Sequence, residues 1–316
     1  MDDELMNPCA LFTGSESNHL WLAEFERQFP HLKVQDWQNV VDTQAVEYGI
    51  VWQPSEAFFQ RFPNLKAVFN LGAGVDAILS NPAVPEQVQI IRIEDGGMAQ
   101  QINEYFSYFL LHYYRDMDLY QQQQQQHSHW QVHAVKSPKQ FRVGILGLGQ
   151  LGSQLATHLK AYGFDIAGWS RSNKQLQGVT TYSGDEQLQA FLQRTDALCC
   201  LLPLTPATEG ILNHHNLSQL PKGAVVINGA RGGHLVAQDL INLLDSTHLR
   251  GAVLDAFEQE PLDPQHVFWQ HPNILLTPHC AAQSEHQVCV QQIGNKLKAI
   301  SSNQPITGLI NRTTGY

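Results

Sequence analysis

At 316 residues with 43% apolar residues, the chain has material for two hydrophobic cores, and two domains are the natural expectation. A formal charge of −10 and a pI near 5.8 argue against a general surface for nucleic acid or anionic membrane, so any positive charge needed for an anionic substrate has to be local. The five cysteines, Cys9, Cys199, Cys200, Cys280 and Cys289, are odd in number and lack metal-ligand spacing, which fits reduced thiols, no disulfide framework and no bound metal.

The acidic start Met1-Asp-Asp-Glu4 lacks the basic and apolar regions of a signal peptide, and no apolar run approaches the ~20 residues that span a bilayer. A cytoplasmic protein is the expectation. Residues 9–13 read as a first strand, and Trp21 to Phe29 carries apolar residues on one helical face. Further strands are predicted at Lys33 to Trp37, at Tyr48 to Trp52 before Gln53-Pro54, and at Leu65 to Asn70. Strands alternating with helices imply a parallel sheet, so residues 1–95 form an α/β domain of their own. The last strand runs into Leu71-Gly-Ala-Gly-Val-Asp76, whose glycines suit an anion-binding nest of N–H groups and equally a plain turn. Trp52, at a strand end, reads as core or as a ligand contact. Gly96-Gly97 is a turn or a hinge at a domain crossing.

A long helix is predicted from Ala99 to Tyr120, with Ile102, Tyr105, Phe106, Phe109, Leu110, Tyr113 and Tyr114 spaced for burial in a core or a subunit contact. The glutamine run Gln121 to Gln126 reads as a solvated helical extension, and His127 to Lys139 as a polar loop.

Phe141-Arg-Val-Gly-Ile-Leu-Gly-Leu-Gly-Gln-Leu-Gly-Ser153 then reads as strand, tight turn and helix start. In its Gly-x-Gly-x-x-Gly spacing, Gly147 permits the turn, Gly149 lets backbone approach a pyrophosphate, and Gly152 lets helix and strand pack closely. Gly163 is a plausible helix stop, and Phe164 to Trp169 a second strand. An NAD enzyme places Asp or Glu at the end of that strand for the ribose 2′-hydroxyl. This chain has Trp169-Ser170-Arg171-Ser172, where Arg171 can fork onto a 2′-phosphate and Ser170 and Ser172 can donate hydroxyls. The expected cofactor is therefore NADPH, with NADH weaker. A charged hydrogen bond is worth roughly 1.5–3 kcal/mol, enough for a ten- to hundredfold preference. The alternative is a surface arginine in a loop.

Strands at Ala197 to Leu202, closed by Pro203, at Gly223 to Asn228, at 251–255 and at 274–277 complete a doubly wound sheet, and Ser284 to Ser302 reads as helix. Arg231, Glu260 and His279 fall at the ends of these strands, where such a sheet presents its ligand crevice. Reducing a 2-keto acid takes a fixed cation for the carboxylate and carbonyl, and an acid for the developing alkoxide. Arg231 and His279 are the candidates, with Glu260 holding the imidazole.

Five ordered segments, Gly147 to Gly152, Leu202-Pro-Leu-Thr-Pro-Ala-Thr208, Asn228-Gly-Ala-Arg-Gly232, Leu254-Asp-Ala-Phe-Glu-Gln-Glu-Pro-Leu262 and Thr277-Pro-His-Cys-Ala281, resemble the motif set of the D-isomer-specific 2-hydroxyacid dehydrogenases over nearly the whole chain. The resemblance implies a catalytic set of Arg231, Glu260 and His279. It implies cofactor contacts at Gly147, Gly149, Gln150, Leu151, Gly152, Ser170, Arg171, Ser172, Leu202, Pro203, Thr208, Ala230 and Asp255. It also implies a substrate carboxylate held by N–H groups of the Gly72-Ala73-Gly74 loop. A discontinuous architecture follows: a flavodoxin-like substrate domain of residues 1–95 and 284–316, a Rossmann-type cofactor domain of 96–283 inserted into it, and the active site between them. Homodimers through the cofactor domain are usual in the family, which would give the Phe106 to Tyr114 stripe a subunit contact.

A narrower likeness, to NADPH-preferring reductases of small 2-keto acids such as glyoxylate and hydroxypyruvate, is carried by Val51-Trp52, Leu71 to Leu79, Glu94 to Met98, Ser128-His-Trp130, Gly168 to Ser172 and Gly315-Tyr316. It implies that Trp52 lies near the substrate. One departure is Asn228-Gly229 in place of Asn-Leu, expected to alter packing and not chemistry. Cys280, beside His279, is expected to be buried as a small packing residue. Two rivals remain: a dehydrogenase of a bulkier or phosphorylated acid, for which the loop from Gly72 to Leu79 lacks basic residues, and a nucleotide-sensing corepressor of the same fold.

Overall fold

The computed structural model describes residues 8–14, 18–127 and 130–315. Met1 to Glu4, Ser128, His129 and Tyr316, named above, lie outside the described residues. The chain divides into two compact units, Met1–Met98 with Gln283–Tyr316, and Ala99–Ala282. Among the described residues no helix is long and apolar enough to cross a membrane.

The first unit is a five-stranded parallel sheet of β1 (Cys9–Phe12), β2 (Val34–Asp36), β3 (Tyr48–Val51), β4 (Ala67–Asn70) and β5 (Gln89–Arg92), in the order β2-β1-β3-β4-β5. That is the flavodoxin-like order. β1 and β4 are buried along their whole length, which is why they read as unbroken apolar runs. Phe58, Phe62, Val68, Ile78 and Ile90 fill the core on one side. β5 is absent from the sequence prediction. Only Ile90 and Ile91 are apolar in it, and its place is set by pairing with β4 and by the tail, where Arg92 N–H donates to Gly308 O and Ile310 N–H to Ile90 O. The helix His286–Ser301 packs on the helix Asn18–Gln28, and a Cβ at Gly294 would lie 2.3 Å from the Phe29 ring.

The second unit is a seven-stranded parallel sheet of β6 (Arg142–Leu146), β7 (Asp165–Ser170), β8 (Thr180–Ser183), β9 (Ala197–Cys200), β10 (Ala224–Asn228), β11 (Leu249–Leu254) and β12 (Ile274–Leu276), in the order β12-β11-β10-β9-β6-β7-β8. Counting from β6, this is the doubly wound dinucleotide-binding order with one strand added at the edge, and its switch point lies between β6 and β9. The prediction also lacks β8, a polar edge strand in which no residue is fully buried.

One expectation needs correction here. The helix predicted over 99–120 is two helices, Met98–Tyr114 and Met117–Gln122, followed by a π-helical turn at Gln123–His127. The break is at Asp116, which adopts φ +57°, a left-handed conformation, while Arg250 reaches its carboxylate at 2.8 Å and pairs also with Asp118. The aromatic stripe lies in the core of its own unit. Phe106, Phe109, Leu110 and Tyr113 are buried against Val143, Ile145, Val225, Ile227 and Val253 of the same unit. The helix thus spends its apolar face on its own sheet.

Candidate active site

The glycine turn after β6 has the geometry its spacing calls for. Gly147 has φ +103°, and a Cβ there would lie 2.7 Å from the Leu201 carbonyl oxygen. A Cβ on Gly152 would lie 1.9 Å from the Gly147 oxygen, so only glycine lets the helix Gln150–Leu159 start this close to the strand. At Gly149 a Cβ would meet nothing within 4 Å, which leaves open space beside the helix start. Gly149 is the N-cap and supplies no side-chain acceptor to the first-turn N–H groups of this helix.

Ser170 ends β7 and is buried, and its hydroxyl donates to Ser172 O at 2.8 Å. Arg171 and Ser172 are exposed, and the sequence Ser170-Arg-Ser-Asn173 around them holds no acid. The loop after β9 folds on itself. The Thr208 hydroxyl donates to Pro203 O at 2.7 Å and accepts from Thr205 N–H at 2.9 Å, while Leu202 is in the core. Thr208 and Leu202 therefore shape this loop.

Arg231 follows β10, with its carbonyl held by the Asn228 amide at 2.9 Å and its Nη1 donating to Ala230 O at 2.8 Å. Gly232 presses against the Phe257–Glu258 backbone, where a Cβ would lie 2.0 Å from the Phe257 carbonyl carbon. That close approach sets the arginine turn against the loop of Glu260. The Glu260 carboxylate accepts from Phe257 N–H at 2.9 Å and from His279 Nδ1 at 2.8 Å. Because a carboxylate here accepts, Nδ1 carries the proton of that bond, and Nε2 is the ring atom turned to other chemistry. Both side chains are about one-third exposed.

His279 itself has φ +51°, unusual for a residue with a Cβ and costing on the order of 1–3 kcal/mol. Asp255, at the end of β11 and 1% exposed, supplies what holds this conformation. Its carbonyl accepts from His279 N–H at 2.8 Å. Its carboxylate accepts from Cys280 N–H at 2.9 Å, from Ala281 N–H at 3.0 Å and from the Thr277 hydroxyl at 2.6 Å. Since the Thr277 proton goes to Asp255, Tyr105 must be the donor in its 2.6 Å bond with Thr277. Burial pushes the Tyr105 phenol above its ordinary range, so this donor stays protonated. Cys280 is exposed, contrary to expectation, while its N–H is anchored on Asp255. Desolvation, then the charge of Asp255, pushes its thiol up, which disfavours a reactive thiolate.

In the other unit, the Gly72 to Asp76 loop follows β4. A Cβ on Gly72 would lie 2.2 Å from the Trp52 ring, so the indole covers the loop at that glycine. Among the described residues the N–H groups of Ala73, Gly74 and Val75 meet no acceptor. Partly buried donors in this state mark a place for an anion.

Residues 107–281 match the family model of the D-isomer specific 2-hydroxyacid dehydrogenase, NAD binding domain. A glyoxylate/hydroxypyruvate reductase A from Yersinia enterocolitica is 41% identical over 301 residues, 94% of this chain and 96% of that protein. The chain belongs to the D-isomer specific 2-hydroxyacid dehydrogenase family. Two solved structures of such dehydrogenases are similar along the whole length. One, from Xanthobacter autotrophicus Py2 in complex with NADPH and MES, has a TM-score of 0.92 at 36% identity and covers 97% of this chain and 99% of that one. The other, an NADPH-dependent glyoxylate/hydroxypyruvate reductase from Sinorhizobium meliloti in complex with NADP and sulfate, has a TM-score of 0.91 at 34% identity and covers 98% of this chain and all of that one.

Within this 2-hydroxyacid dehydrogenase, Glu260 and His279 meet directly, and the turn of Arg231 abuts the Glu260 loop. Sequence reasoning missed Tyr105 and Thr277 as supports of the His279 turn. Thr277 stood inside the Thr277-Pro-His279 motif, a usable signal. Tyr105 was visible only as one more aromatic in a buried stripe.

Proposed function

We propose that this dehydrogenase reduces small 2-keto acids, glyoxylate to glycolate and hydroxypyruvate to D-glycerate, with NADPH as reductant and NADH as a weaker one. The observation that carries the reading is the His279–Glu260 pair beside the Arg231 turn, on a sheet whose glycine turn leaves open space at a helix start. NADPH, when bound, supplies the hydride to C2 of the keto acid. Gly147, Gly149, Gln150, Leu151 and Gly152 hold its pyrophosphate. Arg171, with Ser170 and Ser172 beside it, takes its 2′-phosphate, and Leu202, Pro203, Thr208, Ala230 and Asp255 complete the cofactor site. Arg231 neutralises the substrate carboxylate and polarises the keto oxygen. His279 delivers a proton from Nε2 to that oxygen as it gains charge, and Glu260 holds the ring through Nδ1. The N–H groups of Ala73 and Gly74 bind the carboxylate, with Trp52 as a wall.

The reading extends to a cytoplasmic homodimer that binds neither nucleic acid nor membrane. The net charge of −10 supports the second part. For the dimer, the support is an exposed apolar strip of Trp130, Val132 and Val135, which are 97%, 78% and 94% exposed.

The test is the steady-state rate of NADPH and NADH oxidation with each keto acid, for the wild type and Arg171→Ala. The wild type is expected to prefer NADPH, and the variant to lose that preference by ten- to hundredfold. An unchanged cofactor ratio would remove Arg171 from the site.

A further inference from the structure

Asn70, the last residue of β4, is 1% exposed and turns its carboxamide back on the loop that follows it. Its Nδ2 donates to Gly72 O at 2.9 Å and to Gly74 O at 2.7 Å. The direction of the amide is fixed by chemistry, because only the NH2 end can face two carbonyl oxygens. In a trans peptide the N–H points opposite to the carbonyl that precedes it. Drawing the Gly72 and Gly74 carbonyls toward Asn70 therefore aims the N–H groups of Ala73 and Val75 away from it. Gly74 N–H lies between them, and none of the three meets an acceptor among the described residues.

We propose that Asn70 is a positioning residue for the substrate, whose buried carboxamide pre-aims the Ala73–Val75 N–H groups so that a carboxylate meets a finished anion seat. The proposal rests on the reading of this loop as the carboxylate site. Val75 becomes a third donor beside Ala73 and Gly74. Without Asn70, part of the binding free energy goes into ordering a glycine-rich loop, and that loss falls on every ligand carrying the carboxylate. It does not fall on the proton delivered by His279.

Three variants give a graded test: Asn70→Ala removes both donors, Asn70→Ser keeps one on a shorter side chain, and Asn70→Asp replaces donors with a carboxylate that repels the two carbonyls. The readouts are KM for glyoxylate, the inhibition constant of oxalate as a non-reacting carboxylate, kcat and the KM for NADPH, with a thermal melt for each protein. For Asn70→Ala, KM and the oxalate constant are expected to rise together by about tenfold. The NADPH KM should stay within about twofold and kcat within about threefold. Asn70→Ser should fall between Asn70→Ala and the wild type, which keeps the series readable if the Asp variant does not fold. Unchanged KM and oxalate inhibition in the Ala and Ser variants would overturn the role of Asn70, as would a loss confined to kcat. A wild type that oxalate does not inhibit would overturn the loop assignment itself, before any substitution is made.

Discussion

His279 Nδ1 lies 2.8 Å from Glu260 Oε2 and 3.0 Å from Oε1, so one ring nitrogen is shared between both carboxylate oxygens. The pair holds the imidazole plane and supplies a negative charge next to it. Glu260→Gln keeps an acceptor of the same shape and removes the charge. The expected result is a fall in kcat of about ten- to hundredfold, with the KM for NADPH within about twofold, measured by steady-state kinetics. A kcat equal to wild type would show that the charge is not used.

Gly229 faces Phe106, whose ring lies 2.9 Å from where a Cβ would be. The aromatic ring from the helix Met98–Tyr114 thus fills space that a side chain at position 229 would need. Gly229→Leu is expected to destabilise the protein by about 1–3 kcal/mol in chemical denaturation through overpacking. Adding Phe106→Ala should recover most of that loss, so the two substitutions are strongly non-additive. Additive effects would contradict the packing relation.

Legibility in the sequence followed burial and chain distance. β1, β4, β9 and β10 are covered on both faces and appear as largely apolar runs, whereas β5 has polar residues at both ends and β8 has no buried residue, so their registers are set by neighbours. The glycine turn was readable because its Gly-x-Gly-x-x-Gly spacing fits within six residues of chain, although Gly147 also meets Leu201 beyond the end of β9. The break at Asp116 was not, since it depends on Arg250 from a distant strand. Tyr105 was missed for the same reason, its partner Thr277 being 172 positions away.

His112, half-buried on the helix Met98–Tyr114, has its pKa lowered first by burial and also by the nearby Arg250, against the opposing charge of Asp118. Below its ordinary value near 6.5 the unfolded chain takes up a proton that the folded chain resists, so stability falls as the pH drops through that range. His112→Gln should flatten the dependence between about pH 6.5 and 5 by about 0.5 kcal/mol or less, given solvent screening. Urea melts across that range check it, and an unchanged slope would exclude His112 as a contributor.

The most direct test of the central claim is the turnover of glyoxylate and hydroxypyruvate by His279→Ala beside the wild type, with NADPH binding followed by fluorescence. The account predicts a fall in kcat of about 10²–10⁴-fold with nucleotide affinity within about twofold of wild type. Near-normal turnover by His279→Ala would contradict the proton-delivery role on which the proposed reaction rests.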